Sequence, residues 1–316
     1  MNNLKSKIEW INNSAIDRQK WDNCIEKCEW GKVYALSWYL DFLTENSWEA
    51  LILGDYECIM PVPFRKKLGI KYAYRPNFCQ QLGVFSADSN LPKTVLNDFT
   101  EELLKRFKHL HYPLNHSNNF ETKPPYKLQK RTNLILNLGK PYESLYQSYS
   151  GNLKKNLKTA ENAELLVKEN IPTEAVISLY KNAWQSLNEI PELDYKNFKA
   201  LVDFAEKQGI AKKFGVYKND TLLASCIVLK YKNRLYYPFS AISQEGRKYA
   251  AIAFLIDNIV KDYSNSNFYF DFEGSDIKNV KSFYEKFGPE KEYYYQIDKV
   301  IPFFKLVSAI RKAIKI

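Results

Sequence analysis

The sequence predicts an α+β protein built from two similar units, each a mixed sheet flanked by helices. Three observations predict it. The segments "EALILGDYECIMPVPFRKKLGIKYAYRP" and "AKKFGVYKNDTLLASCIVLKYKNRLYYPFS" each read as three short strands, because β-branched and aromatic residues cluster there between turn residues. A turn dipeptide, Gly54-Asp55 in the first and Asn219-Asp220 in the second, joins the first two strands of each block. Each block follows a helical pair and precedes a polar loop and a helix, which is the pattern of an internal duplication. At 316 residues, the chain has room for about two domains of roughly 150 residues each. The boundary falls near Pro141 to Gly151, giving units at 1–140 and 141–300 and a C-terminal helix at 301–316.

The elements follow in order. "SKIEWI" alternates like a strand, and Trp21 to Cys28 and Ala35 to Leu43 carry helical spacing. After the first three-strand block come a helix near Pro92 to Phe107 and strands near His109 to Leu114 and Asn133 to Asn137. In the second half, "SYSGNLKKNLKTAENAELLV" starts a helix after Gly151 with Lys154, Lys155 and Lys158 on it. Helices around Thr173 to Leu187 and Tyr195 to Lys207 precede the second block. "QEGRKYAAIAFLIDNIV" reads as one helix beginning with Arg247 and Lys248, apolar nearly all round and therefore buried. "FYFDF" reads as a buried strand. "EGSD" breaks it, and Ser275 or Asp276 can cap the helix carrying Ile277, Val280, Phe283, Tyr284 and Phe287. That helix stops at Gly288-Pro289. The last segment, "IPFFKLVSAIRKAIKI", reads as a basic amphipathic helix, docked on its own domain or, as the alternative, lying on an anionic membrane surface.

Composition narrows the classes. With 45% hydrophobic and 15% aromatic residues, the chain can bury a sizeable core. No 18-residue apolar run marks a membrane span, and "MNNLKSKIEW" lacks the pattern of a secretory signal. The expected location is the cytoplasm. Five cysteines without a CxxC imply no disulfide framework. His109, His111 and His116 share one segment, yet no carboxylate or cysteine motif joins them, so no metal is expected. No G-x-S-x-G elbow supports a serine hydrolase. The net charge of +10 suits phosphate-bearing partners, but no helix-turn-helix or RNA-recognition signature accompanies it. A DNA partner is not expected.

Two places have the chemistry of a site. The helix opening at Arg247 and Lys248 offers unpaired backbone N–H groups, a positive dipole end and two cations, the ingredients of an anion site. The junction "DFEGSD" places Asp271, Glu273, Gly274 and Ser275 between a strand and a helix. It reads either as a substrate site or as a well-capped turn.

These pieces, in this order, resemble the GNAT-like acyltransferases of the FemAB-related kind. "SGNLKKNLKTAENAELLV", the second strand block, "RKYAAIAFLIDNIV", "FYFDFEGS" and "IKNVKSFYEKFGPE" carry the resemblance, with "ILGDYECIMPVPFRKK" and "RPNFCQQLG" in the first half. The likeness spans roughly residues 5 to 300. It implies tandem GNAT-like units and transfer of an acyl group from acyl-CoA, a co-substrate rather than a resident cofactor, to an amine-bearing small molecule or cell-wall precursor. It also implies roles. Arg247, Lys248, Tyr249, Ala250 and Ala251 would hold the donor phosphates. Glu273 would be the base, with Asp271 its competitor, and Tyr284 would protonate the leaving group. Lys154, Lys155, Tyr236, Tyr237 and Ser275 would bind substrate, with a backbone N–H between Tyr236 and Phe239 meeting the oxyanion. The sequence departs from the family in having no glycine at 248–252, where R/Q-x-x-G-x-G/A is usual. An aminoacyl-tRNA-dependent aminoacyltransferase acting on a cell-wall or lipid precursor, as in FemAB-type ligases, is therefore the alternative, and a non-catalytic binding module the third reading.

Overall fold

The computed structural model describes residues 7–88, 94–120, 124–184, 190–274 and 277–300. Ser275, Asp276 and the segment 301–316 lie outside the described residues. The strands are β1 (Ile8–Asn12), β2 (Trp48–Leu53), β3 (Cys58–Lys67), β4 (Ile70–Ala73), β5 (Phe85–Ser86), β6 (Leu110–Pro113) and β7 (Leu128–Asn137). They continue with β8 (Leu166–Glu169), β9 (Ala211–Lys218), β10 (Thr221–Tyr231), β11 (Arg234–Ile242), β12 (Tyr269–Asp271) and β13 (Glu290–Lys299). The helices are α1 (Arg18–Lys27), α2 (Ser37–Thr44), α3 (Thr94–Arg106), α4 (Tyr142–Ser148) and α5 (Gly151–Glu161). After them come α6 (Thr173–Trp184), α7 (Glu192–Lys207), α8 (Gln244–Lys248), α9 (Ala251–Asp262) and α10 (Lys278–Tyr284).

The chain forms two compact units. One runs to Arg131 and takes in the chain again from Tyr293; the other is Thr132–Glu292. The Pro141 to Gly151 stretch, read from the sequence as the boundary, falls inside the second unit.

In the first unit, strands pair in the order β1-β2-β3-β4-β6-β13, with β5 on β3. All these pairs are antiparallel except β4–β6, which is parallel. Trp21 of α1 and Trp48 of β2 are both fully buried and meet edge to face, with ring centroids 4.9 Å apart. The Trp21 indole N–H is satisfied by the Ala35 carbonyl at 2.7 Å, as a buried donor requires. His111 Nδ1 lies 2.6 Å from Asp298 Oδ1, and among the described residues no group of three or more His, Cys, Asp or Glu could hold a metal ion.

The second unit repeats that plan. Its order is β8-β9-β10-β11-β12-β7, and the pairs run antiparallel, antiparallel, antiparallel, parallel, antiparallel. The same sequence of pairings in both units is the structural form of the duplication legible in the two strand blocks. One face of this sheet packs α5 and α9 over a core of Leu153, Leu157, Leu223, Leu255, Ile256 and Phe270. Each fully buried Leu, Ile or Phe stabilises the fold by about 1.5–3 kcal/mol. The opposite face carries α6 and α7, where Tyr180 stacks on Phe239 at 4.2 Å and Phe198 approaches it at 5.2 Å. Among the described residues no helix is long and apolar enough to cross a membrane.

Candidate active site

The site begins with two strands that part. β11 and β12 pair in parallel through Arg234–Tyr269, Leu235–Phe270 and Tyr236–Asp271. Beyond that, β11 runs on to Ile242 while β12 ends. β11 also carries an irregularity. Leu229 faces Tyr236 and Ile227 faces Phe239 on β10, which leaves Tyr237 and Pro238 opposite Val228 alone. Proline has no N–H to give the ladder and belongs at such a bulge. The extra residue resets the side-chain alternation: Leu235 and Tyr237 join the α5–α9 core, Phe239 turns to α6, and Ser240 and Ile242 return to the α9 side.

There β11, α5, α9 and α10 enclose a cleft of about 560 Å³. Arg247, Lys248 and Ala250 line one part of it, Ser240 and Tyr284 another, and Asn156 and Thr159 of α5 form a polar edge. Ile252, Ala253, Val280 and Phe283 supply apolar wall.

The cationic end is built differently from the sequence expectation. The segment opening at Arg247 is not one helix. Arg247 and Lys248 end the short α8, and α9 starts only at Ala251. Between them Ala250 sits in the left-handed region, φ 52° and ψ 33°. The cause is tertiary. Ser243 caps α8 by accepting from the Gly246 N–H at 2.9 Å, and Gly246 packs so tightly on β10 that a Cβ there would lie 2.4 Å from the Leu223 carbonyl oxygen. The chain must then turn sharply to enter α9. The first helical hydrogen bonds of α9 run from Ala253 and Phe254 to the Ala250 carbonyl, so the Ala251 and Ile252 amides have no partner within the helix. Arg247 and Lys248 are exposed beside them.

The carboxylate end centres on Arg234. Its Nη1 donates to Asp271 Oδ2 at 2.7 Å and to Glu292 Oε2 at 3.2 Å, and its Nη2 donates to Glu292 Oε1. Asn133 Nδ2 donates to Asp271 Oδ1 at 2.9 Å and to Glu292 Oε2 at 3.2 Å. Burial works against the Arg234 charge, but the two carboxylates outweigh it and hold the guanidinium firmly protonated. Asp271 Oδ1 also accepts the Glu273 N–H at 2.9 Å. Glu273 and Gly274 are both left-handed, φ 58° and 52°. Burial first, and the nearby Glu273 charge with it, raise the Tyr284 phenol above its ordinary range.

Of the residues named from the sequence, the structure brings Arg247, Lys248, Ala250 and Tyr284 to one cleft; Glu273 does not line it, and only its charge is felt at Tyr284. Asp271 is 1% exposed and committed to Arg234, Asn133 and the Glu273 amide. Lys154 donates to the Gln147 carbonyl at 2.9 Å, Lys155 is exposed, and neither lines the cleft. Tyr236 and Tyr237 are buried in β11, Tyr249 lies under the Lys218 ammonium at 4.1 Å, and Ala251 is buried at the start of α9. Sequence reasoning missed Ser240, Asn156, Thr159 and Arg234. For Asn156 and Thr159 a signal existed: they lie three apart on the helix whose lysines drew attention. Ser240 depends on the bulge.

Residues 152–281 match the model of a family described as an acetyltransferase (GNAT) domain. Among solved structures the chain is similar to FemX, with a TM-score of 0.63 and 13% identity, covering 95% of this chain and 99% of that one. It is similar also to the C-terminal domain of a putative lysylphosphatidylglycerol synthetase from Agrobacterium fabrum, TM-score 0.54 and 12% identity over 94% and 96% of the two chains. L-PGS from Bacillus licheniformis gives a TM-score of 0.53 and 11% identity over 93% and 96%. No curated protein matches the sequence. The matched segment contains the whole cleft lining except Phe283 and Tyr284. Residues 152–281 thus match a GNAT acetyltransferase domain, and the chain as a whole shares the fold of FemX.

Proposed function

We propose that the cleft transfers an acyl group from a coenzyme A thioester to the amine of a small molecule or cell-wall precursor, in the cytoplasm. One observation carries this reading: a single cleft joins the cations and unpaired amides before α9 to the hydroxyls of Ser240 and Tyr284. Arg247, Lys248 and the helix end would hold the donor's phosphates. The amine nitrogen attacks the thioester carbonyl carbon, and its proton passes to the Glu273 carboxylate. The tetrahedral oxyanion meets a hydrogen-bond donor on β11, as acyl transfer requires. The C–S bond then breaks. Because burial raises the Tyr284 phenol above its ordinary value, while a thiol titrates near ~8.5, Tyr284 donates a hydrogen bond to the departing sulfur and keeps its proton. Solvent protonates the thiolate.

A second reading, an aminoacyl-tRNA donor, is favoured by Ala250, whose methyl stands where a glycine would let the backbone approach a phosphate. One experiment separates the readings. Thermal shift is recorded with acetyl-CoA, free coenzyme A and aminoacyl-tRNA, and thiol release from acetyl-CoA is followed over a panel of primary amines. A ligand at 100 times its Kd stabilises by about 2.7 kcal/mol. Stabilisation by coenzyme A with amine-dependent thiol release is expected. Stabilisation by aminoacyl-tRNA alone overturns the donor assignment, and binding without turnover leaves the binding-module reading.

A further inference from the structure

We propose that Arg234 is a positioning residue: acting through Asp271, it sets the turn at Glu273–Gly274 and so fixes the position of Glu273. The inference rests on the reading of Glu273 as the base.

The geometry is a relay of fixed contacts. Arg234 lies at the start of β11 and Asp271 at the end of β12, which pairs beside it in parallel. Its guanidinium grips Asp271 Oδ2 with one nitrogen and spans both Glu292 oxygens with two. A planar fork can do this, and a point charge cannot. With Oδ2 held by Arg234 and Oδ1 held by Asn133, the Asp271 carboxylate has a single orientation. In that orientation Oδ1 also accepts the Glu273 N–H. That hydrogen bond pins a residue whose left-handed φ of 58° is uncommon for a side chain larger than glycine. Gly274 continues the turn at φ 52°, packed against the Thr132 carbonyl. Local preference disfavours Glu273 there, and the hydrogen bond to Asp271 is one contact that offsets it.

Nothing about the network requires two carboxylates for one guanidinium if its purpose were stability alone. A buried ion pair is weak evidence of net stability, because desolvating the charges offsets their attraction. The Glu292 carboxylate also anchors Arg234 and Asn133, so Asp271 shares the hold on the arginine through Oδ2 while its Oδ1 serves the turn.

The test uses Asp271→Asn and Arg234→Lys, which keep volume and, for lysine, charge. Hydrogen exchange at the Glu273 amide reads the linkage without any substrate. Faster exchange there in both variants, with the β9 and β10 amides unchanged, is expected; unchanged exchange at Glu273 overturns the proposal. Its meaning for transfer is read with acetyl-CoA and an accepted primary amine. Asp271→Asn should lower kcat by about ten- to hundredfold, as misplacement of a reacting group by about 1 Å can, with KM within about twofold. In a Glu273→Gln background the same substitution should change kcat by less than about twofold, because effects through one group do not add. An undiminished loss in that background overturns the positioning role. If the native protein turns over no amine, the donor and base reading fails while the exchange result still decides the linkage. Should either variant fail to fold, the other carries the same comparison.

Discussion

Gly274 sits so close to Thr132 that a Cβ built on it would lie 2.3 Å from the Thr132 carbonyl oxygen. The strand β7 therefore backs the turn that presents Glu273, and only glycine fits between them. Its φ of 52° adds a second reason, since the left-handed conformation costs an L-residue roughly 1–2 kcal/mol.

Gly274→Ala should be strongly destabilising. Overpacking costs about 1–3 kcal/mol, and the left-handed penalty adds roughly 1–2 kcal/mol. Urea unfolding would measure the loss. Gly151→Ala is the control, because at the first position of α5 a Cβ meets nothing within 4 Å; it should be neutral or slightly stabilising. Equal effects of the two substitutions would contradict the close approach.

Ala250 gives a prediction of the opposite sign. It is left-handed without being glycine, so Ala250→Gly relieves roughly 1–2 kcal/mol of strain. The greater freedom of glycine in the unfolded chain takes back about 0.4–1 kcal/mol. The net is a gain of up to about 1.6 kcal/mol, visible as a small rise in Tm. The same change opens the α9 end, so acetyl-CoA should bind more tightly if its phosphates lie there. A lower Tm together with weaker binding would mean that the Ala250 methyl packs on something useful.

What the sequence made legible follows from where the information lies. The two strand blocks could be read because their turns are local: Asn219 adopts φ 52° between β9 and β10, and Lys232 φ 51° between β10 and β11. Hydrophobic spacing likewise marked α9 as buried. The break ahead of α9 could not be read, since "KYAA" contains no breaker. Packing of Gly246 on Leu223 imposes it. Arg234 and Asp271 are 37 residues apart, and their meeting depends on the register of a parallel strand pair, which no local pattern encodes. Asp271 and Glu273 stood out together as two carboxylates at one strand end. Their surroundings in three dimensions separate them: the Asp271 carboxylate is buried and held by Arg234 and Asn133, while Glu273 is only partly buried.

Asp257 of α9 supplies a pH dependence that does not involve catalysis. It is 8% exposed and accepts from the Tyr142 hydroxyl at 2.9 Å, with Tyr149 also against it. Burial raises its pKa, and the Tyr142 hydrogen bond only partly offsets this. The folded state therefore holds this proton more tightly than the unfolded chain, whose Asp titrates near ~3.9. The stability that Asp257 contributes is full below that value and is lost as pH rises through the raised folded value. Asp257→Asn, whose amide oxygen can still accept from Tyr142, should remove this loss. Urea unfolding at several values from pH 4 to pH 8 should show native stability falling relative to the variant as pH rises. A variant that loses ground with rising pH would reverse the assignment.

The sharpest functional prediction contrasts Glu273 and Tyr284. If Glu273 takes the amine proton, Glu273→Gln removes the base and should lower kcat by about 10²–10⁴-fold. Its effect on Tm should be small, because the side chain is only partly buried and the backbone N–H that Asp271 holds is unaltered. Tyr284→Phe removes one hydrogen bond to the departing sulfur and no obligatory proton donor. A typical hydrogen bond is worth about 0.5–1.5 kcal/mol, so the loss in kcat should stay near about tenfold. The ring would remain in its place against Phe272 and Tyr237, so acetyl-CoA should stabilise both variants as it does the native protein. Thiol release at saturating donor measures kcat, and thermal shift measures binding. If Tyr284→Phe proved the more damaging of the two, the phenol would have to give up its proton in the reaction. The raised pKa that burial imposes on it would then have to fall once the donor is bound.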